Sequence, residues 1–292
     1  MSTTLPKPPI PATYDPMLSA KEHDRMVSVL GIRKANTQVW QLLLLGMLAG
    51  IYISFGGLVS LVALTETGSR IVAGLVFSIG LVFVVIAGAE LFTGNIVMIV
   101  GAITRLYPVS KLLRNWGSVY VGNFIGAYGF AALIVCTALL GAPDALTPLG
   151  ETAVRVAEAK LAMSFGDAFV RGILCNALVT LALILATLAK DVVSKIICCI
   201  LPISTFVACG FEHCVANMLL IPVGLFARGV PLWSHGTIFN NLLPVTLGNI
   251  VGGIALLVLH PNRIRQLVQL YRQSASSGAQ DSLSNGSCTP PG

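Results

Sequence analysis

Two stretches decide the fold: Gly88-Ala89-Glu90-Leu91-Phe92-Thr93-Gly94-Asn95 and Gly210-Phe211-Glu212-His213-Cys214-Val215-Ala216-Asn217. Shifted by 122 residues, they carry the same glycine, glutamate and asparagine at the same places. Each sits inside a long apolar region, and each is followed by a further apolar run, residues 96–100 and 218–221. A glycine, an acid and an amide in such a setting read as an interrupted membrane helix. Irregular backbone at membrane depth is tolerated only where protein or a water-filled cavity satisfies its N–H and C=O groups. Interruptions at matching positions of two halves point to a substrate site near the membrane midplane.

Composition supports a membrane setting. Of 292 residues, 55% are hydrophobic and 10% charged, against about 25% charged in soluble domains, and the mean hydropathy is +0.85. A soluble enzyme, a disordered chain and a nucleic-acid-binding domain are excluded in spite of the net charge of +6. Apolar segments run near 38–62, 71–103, 113–141, 162–188, 196–227 and 238–260. At about 20 residues per helical span, this gives six spans.

The 18 Lys and Arg sort by topology. With the N-terminus in the cytoplasm, thirteen fall on the inner side, among them Lys34, Arg105, Lys111, Arg114, Lys190 and Lys195. Arg70, Arg155, Lys160 and Arg228 fall outside, and Arg171 lies within the fourth segment. This imbalance follows the positive-inside rule and places both termini in the cytoplasm. The basic excess is spread over every inner loop, which disfavours a nucleic-acid or phosphate patch. The first 35 residues lack the apolar core of a signal peptide. Residues 19–29 read as a short amphipathic helix at the cytoplasmic surface, and the Ser-, Gly- and Pro-rich tail reads as disordered.

The third and sixth segments match as well. Asn115, Gly122, Asn123 and Gly126 align with Asn241, Gly248, Asn249 and Gly252 at a shift of 126. Gly50 and Gly172 pair the first and fourth segments at 122. The expected architecture is therefore an all-α polytopic membrane protein of six helices. It is an inverted repeat of three and three, since an odd unit re-enters from the opposite face, with the second and fifth helices broken. The expected division is an N-terminal segment 1–35, a membrane domain 36–262 with repeats 36–141 and 162–262, and a tail 263–292. Gly126, Gly129, Gly252 and Gly253 read as positions where helices pack closely.

Of twelve acidic residues, only Glu90 and Glu212 fall at membrane depth. An unpaired carboxylate there costs about 2.5–3.5 kcal/mol. Two roles remain open at this point. Either each glutamate accepts hydrogen bonds from N–H groups freed at a helix break, or the pair carries protons. Asp167 lies close to Arg171. His213 is the one histidine inside the apolar regions. Imidazole changes charge in the physiological range, and half-helix N-termini at a break favour anions. Cys209 and Cys214 lie near His213, but no second His or carboxylate completes a zinc set. Six of the seven cysteines sit in apolar stretches, with no spacing that suggests a disulfide framework. No metal or cofactor is expected. Leu81, Leu91, Phe92, Val179, Phe206, Asn176 and Asn249 are candidates to line a path, with ordinary core packing as the bland alternative.

The segments GAELFTGN, RGILCNALV, GFEHCVANM with IPVG following, and NLLPVTLGNIVGG resemble the signature segments of the formate/nitrite transporter family. The similarity runs from about 34 to 259 and keeps four motifs in order. The resemblance implies an aquaporin-like fold without NPA motifs, a homopentamer with one pore per protomer, and passage of formate, nitrite and related weak acids across the inner membrane. It implies a central gate of Thr93 and His213, hydrophobic constrictions at Leu91 and Phe206 with Leu81 and Val179, and a polar lining of Asn176 and Asn249. Lys160 takes the place of an outer-vestibule lysine that attracts anions. Ala177 departs from the large residue many members carry there.

Formate is the leading permeant, with protons as a possible partner ion and nitrite, hydrosulfide or lactate as alternatives for the same pore. A neutral-solute channel is the competing class; the absence of NPA and the presence of His213 argue against it. A membrane enzyme would need a catalytic constellation that His213 alone does not provide.

Overall fold

The structure, a computed structural model, describes residues 20–259 and residue 264. Expectations for residues 1–19, for His260 and for most of the tail lie outside the described residues.

Helix α1 (Ala20–Asn36) is longer than the amphipathic segment expected at 19–29. Helix α2 (Val39–Thr67) stops at Gly68, whose φ of 65° only a residue without Cβ adopts freely. Ser69 caps helix α3 (Arg70–Phe77) by accepting the Val72 N–H, and helix α4 (Ile79–Ala87) follows after Ser78. Next come helix α5 (Phe92–Asn95), a 3-10 turn over Ile96–Met98, helix α6 (Ile99–Ile103) and helix α7 (Val109–Val135). A two-residue hairpin, strands β1 (Gly141–Ala142) and β2 (Ala145–Leu146), leads into helix α8 (Pro148–Leu161). Helices α9 (Phe165–Leu188), α10 (Val192–Ala208), α11 (Cys214–Ala227) and α12 (Ile238–Val258) complete the fold.

Short polar side chains open the second-half helices. Thr147, Ser164 and Asp191 accept backbone N–H groups from α8, α9 and α10, satisfying amides that have no intrahelical partner. Bonds from the hydroxyl and N–H of Ser194 hold the Asp191 carboxyl below the usual carboxylate range. Helix α8 lies in what reads from sequence as a loop, although Thr147-Pro148 with Glu151 in the first turn is a helix-start signature. Tyr107, just before α7, donates its hydroxyl to Met98 O, and burial pushes its phenol up to about 12, so it stays a donor.

Among the described residues, five helical stretches are long and apolar enough to cross a membrane: Val39–Thr67, Arg70–Ala87, Val109–Val135, Phe165–Leu188 and Leu232–Val258. Their outer faces are apolar too. Helix α2 buries Leu42, Ala49 and Ile53 while exposing Leu44, Leu48, Phe55 and Val59. Such a helix, hydrophobic all round, suits lipid or a neighbouring subunit and would be costly in water.

Helix α2 packs on α7, and α9 packs on α12. Both contacts need residues without side chains: a Cβ on Gly126 would lie 2.1 Å from Met47 O, and one on Gly252 2.0 Å from Ile173 O. Gly253 is similarly confined, by Asn176 and Ile96. Gly129 corrects the expectation, because it faces open space with nothing within 4 Å.

Candidate functional site

Both interruptions are built the same way. After α4, Gly88 adopts φ 80°, and after α10, Gly210 adopts φ 71°. The chain then runs extended to Leu91 and to His213, where helices α5 and α11 begin. Glu90 N–H donates to Leu45 O at 3.2 Å, and Glu212 N–H to Arg171 O at 3.3 Å. The first amide of each new helix finds an asparagine: Phe92 N–H donates to Asn123 Oδ1 and Cys214 N–H to Asn249 Oδ1, each at 2.9 Å. The same asparagines donate backward. Asn123 Nδ2 reaches Gly46 O and Glu90 O, and Asn249 Nδ2 reaches Gly172 O and Glu212 O. These bonds equate Gly172 with Gly46, correcting the pairing with Gly50 read from the sequence.

The two carboxylates do not take the freed backbone amides, as one sequence reading expected. Each is paired with a lysine. Lys34 Nζ lies 2.6 Å from Glu90 Oε2, and Lys160 Nζ lies 2.8 and 2.9 Å from the two oxygens of Glu212. Asn95 and Asn217 add Nδ2 donors at 2.7 and 2.6 Å. Asn115 and Asn241 receive a second bond from those amides and donate to Lys34 O and Lys160 O. A buried anion needs an opposite charge and several hydrogen bonds to offset lost hydration, which is what each lysine–asparagine set supplies. Lys34 and Lys160 stand 126 residues apart, on α1 and α8. Both lysines lie outside the repeats expected at 36–141 and 162–262. The signal was present in the shared shift of 126, but a helix-surface lysine in a polar segment does not announce a buried partner.

His213 breaks the symmetry, since its counterpart at the 122 shift is Leu91. Its Nδ1 accepts the Ala216 N–H at 3.1 Å, capping α11. An accepting Nδ1 places the proton of the neutral ring on Nε2. Nε2 therefore donates to Thr93 Oγ1, 2.9 Å away. The Phe206 ring lies nearly parallel to the imidazole at 5.8 Å, and Phe77 meets Phe206 edge-on. Asn176 Nδ2 donates to Asn249 O at 2.7 Å and approaches Thr93 O at 3.4 Å. Its Oδ1 and the hydroxyl of Thr180, one turn along α9, are buried with no partner among the described residues. Thr180 was not a sequence candidate, though spacing of four from Asn176 puts both on one helix face.

Two cavities of about 200 Å³ each flank this contact. One is lined by Arg70, Lys160, Arg171, Phe206, Glu212 and His213; the other by Arg33, Lys34, Glu90, Leu91 and Gly94. Thr93 stands between Leu91 and Gly94 of the second cavity and bonds His213 of the first. Leu81, Val179, Thr93, Asn176 and Asn249 are buried and line neither cavity. Phe92 also lines neither; its ring packs edge-on against Trp116 and Tyr120. Asp167 pairs with Arg171 at 2.8 Å, as their spacing suggests. Among the described residues no cluster of three or more His, Cys, Asp or Glu is placed to hold a metal ion.

Fold and site together define a multi-pass helical membrane protein with two cavities meeting at a histidine–threonine contact. Residues 21–261 match the sequence profile of the formate/nitrite transporter family. A probable formate transporter of Methanothermobacter thermautotrophicus is 41% identical over 246 residues, covering 77% of this chain and 89% of its own. The formate channel FocA of Escherichia coli strain K12 is 33% identical over 249 residues, 76% of this chain and 86% of its own. A pentameric formate channel solved with formate bound superposes with a TM-score of 0.63 at 32% identity, over 80% of this chain and 98% of that one. The chain belongs to the formate/nitrite transporter family.

Proposed function

We propose that this protein passes formate across the inner membrane through a pore gated at His213. The carrying observation is the 2.9 Å Thr93–His213 contact between two charged cavities. The chain crosses six times, with Val192–Ala208 added to the five long apolar stretches as the fifth span in chain order. Helices two and five are broken at residues 88–91 and 209–213. Both termini face the cytoplasm, which puts the Lys34 cavity inside and the Lys160 cavity outside. Repeat one then starts with α1 and repeat two with α8. Five copies assemble, as in the solved pentameric relative, and the apolar outer faces meet lipid or a neighbouring copy.

The plug sets the chemistry. A bare anion meets Leu81, Leu91, Val179 and Phe206, each at most 3% exposed, and stripping its water there is expensive. A neutral acid crosses at far lower cost. The neutral His213 ring cannot supply the proton, because its Nδ1 is occupied as an acceptor and its Nε2–H is not acidic. Protonating Nδ1 sets two N–H groups head to head and releases the Ala216 bond. The imidazolium then attracts formate, passes one proton to its oxygen and returns to the neutral ring. Proton and anion thus cross together. Asn249 and Asn123 hold the two breaks in shape, and Glu90 and Glu212 fix the lysines. Lys160 acts on anions only through the part of its charge that Glu212 leaves unscreened.

The test is uptake in proteoliposomes. Formate is expected to enter with alkalinisation of the outside medium, while glycerol does not enter. Nitrite uptake exceeding formate would move the assignment to the other named substrate of the family. Glycerol entry at a similar rate would contradict an anion pathway altogether.

A further inference from the structure

The buried lysine of the outer cavity is largely neutralised by Glu212, so anion collection there has to be looked for elsewhere. Two guanidinium groups converge on Gly210. A methyl-sized point on its α-carbon lies 3.5 Å from Arg70 Nη1 and 3.6 Å from Arg171 Nη1. Glycine leaves that point empty, and φ 71° discourages any other residue from filling it. Both arginines line the cavity that ends at His213. Arg171 uses Nε on Asp167 Oδ1 at 2.8 Å and Nη1 on Gly210 O at 3.1 Å, which fixes its plane and leaves donors over. Arg70 has no hydrogen bond or ion pair among the described residues. Of the charged residues lining the cavity, Arg70, Arg171 and Lys160 face one carboxylate, Glu212.

We infer that Arg70 and Arg171 form a capture site for planar small oxyanions, carboxylates foremost, at the mouth of the cavity above Gly210. A guanidinium presents two parallel N–H groups that match the two oxygens of a carboxylate, and a lysine does not. Arg171 is held in orientation, while Arg70 is unpaired and can close on an anion. The site thus favours a planar oxyanion over a spherical halide before the plug is reached. Its role in uptake rests on the transport reading above; its occupancy does not.

Occupancy is read by chemical modification of the full-length protein. Phenylglyoxal is reacted with Arg70, and the adduct is quantified by peptide mass spectrometry in formate or in chloride at equal ionic strength. Slower modification in formate, with Arg155 equally reactive in both media, is expected. Arg155 is exposed on α8 and outside the cavity. Equal rates at Arg70 in the two media, including no reaction in either, overturn the site. In proteoliposomes, Arg70→Gln is expected to raise the half-saturating external formate concentration about two- to fivefold, with Arg155→Gln as the matched-charge control. Full recovery by Arg70→Lys contradicts the forked contact and leaves only general charge attraction. Protection of Arg70 without any formate flux in the unaltered protein keeps the capture site and overturns the transport reading.

Discussion

The half-site around Glu90 and the half-site around Glu212 share a frame and differ at one position, Leu91 against His213. In both, a lysine, two asparagines and a clamping third asparagine hold an extended break after a left-handed glycine. At the first residue before the new helix, one half has Leu91, which caps nothing, and the other has His213, which caps α11 and reaches Thr93. The helices that follow differ as well. Helix α11 is regular over 14 residues. The uncapped α5 lasts four and gives way to a 3-10 turn, within a run whose Gly94, Ile96, Val97, Ile99 and Val100 disfavour helix. The duplicated frame holds both breaks by the same bonds, and the residue that departs from the duplication is the one proposed as the gate.

That comparison can be broken in descending order of effect. Glu212→Gln leaves Lys160 as an unpaired, part-buried cation, and a loss of about 3 kcal/mol, the low end for a broken buried pair, is expected. It should be read as loss of folded protein in detergent on heating. Glu90→Gln should cost less, since its carboxylate is 8% exposed against 3% for Glu212 and both of its described bonds fall on one oxygen. An equal or larger loss at Glu90 would show that the two frames are not energetically alike. Asn249→Ala removes three buried hydrogen bonds and leaves the Cys214 amide and the Glu212 carbonyl without this partner. About 2–4 kcal/mol is expected, and Asn123→Ala should match it, measured by the same melting shift.

His213→Leu copies the Leu91 half into the other. It should fold, at a cost of about 1 kcal/mol for the lost cap. A larger loss would mean that His213 carries more of the frame than its two bonds suggest. Smallest is Gly129→Ala, within about 0.5 kcal/mol of neutral, because the site is open.

The all-helical fold was legible because lipid leaves so few options for a polar backbone. The apolar segments gave the helices, and the paired GAELFTGN and GFEHCVAN stretches are where the chain leaves one helix and starts the next. Helix α8 was missed because a short amphipathic helix between spans carries little apolar signal, and only Thr147-Pro148 announced it. The pairing of Thr93 with His213 follows from the family resemblance and not from spacing, since the distance in sequence is 120 residues. Sorting charges by topology placed Lys34 and Lys160 in aqueous loops. Their burial against Glu90 and Glu212 follows from the folding back of α1 and α8, which no local pattern encodes. Arg70 was likewise counted only as an outer-loop charge, because convergence with Arg171 over Gly210 is a tertiary fact.

The central claim is that the asymmetric histidine couples proton and anion passage at the plug. The direct measurement is the pH dependence of formate flux in proteoliposomes, from about pH 5 to 8, for the unaltered protein and for His213→Asn. Asparagine can still donate to Thr93 but cannot carry a proton. Flux through the unaltered protein should change steeply with pH over that range, and the His213→Asn profile should be flat. Superimposable profiles, with normal flux in the variant, would contradict the account.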